Sequence, residues 1–183
     1  MPKIPMHTLD PFAPSQGVET CSPIGSGGVT PASTSLRLTY FANRKAQTVS
    51  QVLIASAGTA AAATPTLIRF GIYSIAASGN LALIGSTPND TSLFAATFTE
   101  YTKALSVATS LAAETLYAFG YLIVTGVAAP IVSGSSISGA AAQGTGNRPR
   151  RVAVLSGQSD LPSSITVGSL ALSTVAVYAV LIP

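Results

Sequence analysis

The chain has 183 residues, with nine basic and six acidic side chains, a net charge of +3 and a pI near 9.2. Only 8% of residues are charged, against roughly 25% in an ordinary soluble domain, so the high pI reflects scarce acid rather than a basic nucleic-acid surface. A surface so poor in charge points to an assembly component whose outside is covered by partner chains, and the length suits one β-sandwich with an arm.

Residues 1–35 stand apart. Six of the twelve prolines fall here (Pro2, Pro5, Pro11, Pro14, Pro23 and Pro31), with glycines at 25, 27 and 28. Proline at this density bars a helix and favours extended chain. The segment has too few large apolar residues for its own core. It reads as an arm ordered against a neighbouring subunit through Ile4, Met6, Leu9, Phe12 and Ile24, a disordered tail being the other reading. The first residues lack the apolar centre of a secretion signal. Val175–Pro183, the most apolar stretch, is well short of the roughly 20 residues of a membrane helix. A soluble chain without membrane insertion is expected.

The globular part is placed at 36–183. Leu36–Phe41 alternates apolar and polar like a half-buried strand, Asn43-Arg44-Lys45 turns, and Gln47–Ile54 makes a second strand. A loop over Gly58–Pro65 precedes a hairpin of Thr66–Ile75 and Leu81–Thr87 about Ser78-Gly79-Asn80, residues that tolerate positive φ. Pro88–Thr91 turns, Ser92–Phe98 crosses the sheet edge, and Glu100–Ser106 is a strand. Thr109–Glu114 is expected as a helical turn or loop before Thr115–Thr125, whose both-sided apolar character marks a central strand. Ile131–Ser138, Arg150–Leu155, Ile165–Leu172 and Thr174–Ile182 complete the strands, with a loop at 139–147 and a turn at 157–163. Strands at this turn spacing predict an all-β fold, an antiparallel jelly-roll β-sandwich with an extended N-terminal arm.

The sequence carries no evident catalytic pattern. His7, the single histidine, lies in the arm, a poor place for a triad or a Cys–His pair. The acids Asp10, Glu19, Asp90, Glu100, Glu114 and Asp160 form no close pair in sequence. Asp90 reads as a turn former and Asp160 as part of a polar loop, neither with diagnostic calcium spacing. Cys21 stands alone, which excludes an internal disulfide. Gly144–Pro149 lacks the third glycine and following helix of a phosphate loop. Arg148, Arg150 and Arg151 form the one basic cluster, read as a solvated loop or subunit salt bridge, with an anionic ligand as the alternative. The six tyrosines lie mainly in strand runs, where core packing is the default, and carbohydrate stacking stays open. No enzyme, cofactor or metal is expected.

The residues Ala63–Ser74, Asn89–Phe94 and Glu114–Gly120 resemble jelly-roll modules in virion proteins of tailed phages infecting actinobacteria. The strand Leu36–Phe41 and its turn fit the same pattern. The resemblance spans roughly residues 35–135 and implies a virion structural role, often as a homotrimer, with host-surface attachment as a frequent task. It transfers no functional residue, because it lies in turns and core positions. The expectation is a non-enzymatic virion protein, a minor tail, tail-tip or fibre subunit contributing to host attachment. The alternatives are capsid decoration, which gains from the lack of a collagen-like or coiled-coil stalk before the module, and a carbohydrate-binding module. The partners implied are further copies of the chain, other virion proteins through the arm, and a host cell-wall glycan.

Overall fold

The computed structural model describes residues 17–21, 27–58, 65–127, 129–137 and 151–183. Its strands are β1 (Val18–Glu19), β2 (Gly27–Val29), β3 (Leu36–Asn43), β4 (Gln47–Ala55), β5 (Leu67–Ile75), β6 (Leu81–Ser86) and β7 (Glu100–Leu111). They continue with β8 (Thr115–Val124), β9 (Val132–Ser136), β10 (Val152–Leu155), β11 (Ser164–Ile165), β12 (Ala171–Leu172), β13 (Val175–Val177) and β14 (Val180–Ile182). Among the described residues there is no α-helix, only a 3₁₀ turn at Val167–Ser169, so no helix there is long and apolar enough to cross a membrane. The fold is all-β, and every strand pair is antiparallel.

Three sheets are formed, in the orders β11-β6-β5-β8-β3-β10-β12, β1-β14-β4-β7 and β13-β9-β2. The six longest strands pair in a nested way: β3 with β8, β4 with β7, and β5 with β6. Because β4 and β7 lie in the four-stranded sheet while their neighbours in sequence lie in the seven-stranded one, the chain crosses repeatedly between sheets.

Strand β8 shows why the sequence folds this way. Tyr117, Phe119, Tyr121 and Ile123 point to one face and join Phe70, Val52, Ile54 and Leu181 in the core between the two larger sheets. Ala118 and Leu122 point to the other face, under Leu161, Ile165 and Leu170. Both faces of a strand with period 2 are therefore buried. The segment 160–170, expected as a turn followed by one strand, is mostly a covering layer over the outer face of the seven-stranded sheet. The hairpin of β5 and β6 forms as expected, with Gly79 at φ +84° and its amide donating to the Ala76 carbonyl at 2.8 Å.

Four expectations are corrected. Thr109–Leu111 belongs to β7, and the turn is confined to the three residues 112–114 with Glu114 at φ +50°. Thr109 and Leu111 are buried, so the alternation continues past the point where Val107 and Ala108 interrupt it. Ile165–Leu172 is not one strand but β11, the 3₁₀ turn and β12. Thr174–Ile182 is likewise divided: β13 pairs with β9 and β14 with β4, so the chain changes sheet at Tyr178-Ala179. Finally, two pieces of the expected arm belong to the globular part, β1 pairing with β14 and β2 with β9. Val29 lies in the main core and gives that attachment a hydrophobic reason.

Candidate functional site

Three ion pairs join charged side chains among the described residues. Lys103 Nζ lies 2.7 Å from Asp90 Oδ2, and Asp90 Oδ1 accepts from the Ser92 amide and hydroxyl. These bonds, the one from Lys103 foremost, hold the Asp90 carboxyl down at about 2. Arg69 pairs with Asp160 at 2.7 Å and also donates to the Thr87 carbonyl and the Ser86 hydroxyl. Arg44 and Glu114 meet at 3.3 Å in solvent. Among the described residues no three of His, Cys, Asp and Glu stand together as a metal site would need.

The tyrosines are structural. Tyr73, Tyr117 and Tyr121 are buried. Tyr178 donates to Glu19 at 3.1 Å, and the Tyr101 hydroxyl accepts the Ala96 amide at 2.9 Å. None lies open as a sugar platform.

Of the residues expected to make contacts, Ile4, Met6, Leu9, Phe12, Ile24, Arg148 and Arg150 lie outside the described residues, as does His7. Arg151 is exposed just before β10, and its carbonyl accepts the Tyr40 amide at 2.9 Å. It borders a shallow cleft of about 200 Å³ with Thr20, Cys21, Thr39 and Tyr40. Burial pushes the Cys21 thiol up to about 11, which makes it a poor nucleophile.

The feature that sequence reasoning missed lies in the crossing from β6 to β7. Phe94 and Phe98 both have positive φ, +64° and +50°. Phe94 is fully buried against Phe70, Tyr101 and Tyr121. Phe98 is 80% exposed, the one exposed aromatic residue among those described. The loop between them is pinned on both sides. Ser56 Oγ donates to the Ala96 carbonyl at 2.7 Å and accepts the Thr99 amide at 3.0 Å, while Ser56 N donates to the Thr99 carbonyl at 2.9 Å. Tyr101 holds Ala96 from the other side. A bulky side chain in the left-handed region costs roughly 1–3 kcal/mol and persists only where its surroundings fix it. The frame fixes the backbone from which the Phe98 side chain projects into solvent. Sequence offered no sign of it, because Phe94 and Phe98 sit in the same Ala- and Thr-rich setting.

The chain matches no family model, and a search of the curated proteins finds no match to it.

Proposed function

We propose that the chain is a non-enzymatic structural protein of a tailed-phage virion, a jelly roll fixed to the particle by its N-terminal segment and to further copies by its uncharged surface. The nested pairing of β3–β8, β4–β7 and β5–β6 is what a hairpin rolled into a jelly roll produces, and this supports the finer fold reading. Attachment to the host surface at the tail is the leading task, with capsid decoration as the alternative.

The observation that carries the proposal is the surface. Phe98 and Val107, 80% and 74% exposed, are held outward on a chain with only fifteen charged residues, nine basic and six acidic. We read these two exposed apolar side chains, on a surface this poor in charge, as points of contact with other proteins. The tyrosines leave the carbohydrate-binding alternative little support, since their rings or hydroxyls are engaged in the fold.

Peptide mass spectrometry of gradient-purified particles from the encoding phage tests this. The chain is expected at a copy number comparable with other structural subunits. Its absence from intact particles, with presence in the infected-cell lysate, would overturn the proposal.

A further inference from the structure

Two β-bulges stand side by side where the edges of the two larger sheets approach. In β6, Ile84 is the extra residue between Gly85, opposite Ile72, and Leu83, opposite Tyr73. In β7, Leu105–Ala108 face the single residue Ser50, between the pairs Val49–Thr109 and Gln51–Ala104. Thr109 links the two, its hydroxyl donating to the Val107 carbonyl at 3.2 Å and reaching the Ile84 carbonyl at 3.5 Å. Gly85 makes the approach possible, because a Cβ there would collide with the Thr109 side chain.

A bulge re-aims side chains, and edge bulges are built features rather than defects. Here they leave Ile84 and Val107 exposed, at 39% and 74%. With Leu83, Gly85, Ser86 and Ser106 these residues line a dent of about 230 Å³. Sheet edges are commonly guarded by charge, yet no lining residue is charged. The dent is thus uncharged and lined in part by apolar side chains.

The same chain supplies a matching group. A cavity of about 150 Å³ accepts a benzene ring, so the dent has room for one phenyl side chain. Among the described residues, Phe98 is the phenyl that the fold leaves exposed, at 80%. We propose that Phe98 of one copy seats in the dent lined by Ile84 and Val107 of a second copy. Knob and dent occupy different places on each copy, so the contact forms either twice across a two-fold axis or head to tail from copy to copy. This names the contact behind the self-association proposed above, but it follows from the geometry of the chain and not from a place on a particle.

The test uses two full-length chains in a Cys21→Ser background, Thr97→Cys beside the intact Phe98 and Ser106→Cys at the dent, each oxidised alone and as an equal mixture. The mixed disulfide is expected to exceed both homodimers, and Phe98→Ser is expected to weaken self-association by about tenfold or more in sedimentation. Both positions are exposed, and circular dichroism confirms that the variants fold. A Thr97→Cys homodimer in excess of the mixed product, or unchanged association of Phe98→Ser, would overturn the proposal. So would a monomer for the unaltered chain under the same conditions. A mixed disulfide formed by a chain that purified particles lack would uphold this contact and remove the virion reading, so the two fail separately.

Discussion

Thr39 Oγ1 accepts the amide proton of Val177 at 3.0 Å, a buried bond between residues 138 positions apart in the chain. It sits where the C-terminal segment leaves one sheet for another. Just beyond it, Thr20 Oγ1 donates to the Val177 carbonyl at 2.9 Å and accepts the Ala179 amide at 2.9 Å, while the Thr20 amide donates to the Ala179 carbonyl at 3.0 Å. Two buried threonines thus satisfy the backbone groups that the change of sheet leaves unpaired.

Replacing either hydroxyl by a methyl group strands a buried backbone donor. Thr39→Val and Thr20→Val are each expected to lower the unfolding free energy by about 1–3 kcal/mol. Urea denaturation followed by circular dichroism measures this, and an unchanged midpoint for both variants would contradict the role assigned to these bonds.

Asp90 has its folded carboxyl held at about 2, below the roughly 3.9 of an unfolded aspartate. The folded state therefore binds this proton less readily, and its contribution to stability is present above pH 4 and lost as the pH falls through 2. Asp90→Asn is expected to destabilise the protein at pH 7 and to differ progressively less from the parent between pH 4 and pH 2. A stability difference that stays constant across that window would show that the Lys103 pair is not its source.

Tyr121 is fully buried in the central aromatic group, and among the described residues its hydroxyl has no hydrogen-bond partner. Burial accordingly pushes its ionisation upward. Tyr121→Phe keeps the ring and removes the unsatisfied group, so it is expected to be neutral or to stabilise by about 1 kcal/mol. Tyr121→Ala is expected to cost about 3–5 kcal/mol through the cavity it opens. A loss above about 1 kcal/mol for the Phe variant would reveal a partner for the hydroxyl.

The pairing of β1 and β2 alters where the chain divides. Removing residues 1–16 leaves both strands in place and is expected to give a stable, folded protein that no longer joins the particle. Removing residues 1–30 also takes away Thr20 and Val29, and thermal unfolding is expected well below that of the full chain. Equal melting of the two truncated proteins would deny β1 and β2 a structural role. Normal incorporation of the shorter truncation would contradict anchoring by the first residues.

Much of this architecture was legible in the residues. Strand β8 could be read as central because its apolar side chains fall on both odd and even positions, and the Gly79-Asn80 turn marked the pairing of its neighbour β5 with β6. What escaped was everything set by long-range contacts. The division of the last strand at Tyr178-Ala179 depends on Thr20 and Thr39, more than a hundred residues away. The extension of β7 was hidden by a bulge that interrupts the period-2 pattern. Phe94 and Phe98 differ in burial only because Ser56 and Tyr101 grip the loop between them.

The chain is proposed above to be part of a particle's exterior. Immunogold electron microscopy of intact virions, with an antibody raised against the full chain, tests it most directly. Label at the tail end is the predicted result, and label spread over the capsid would select decoration within the same account. Particles that carry no label, while the antibody recognises the free chain, would contradict it.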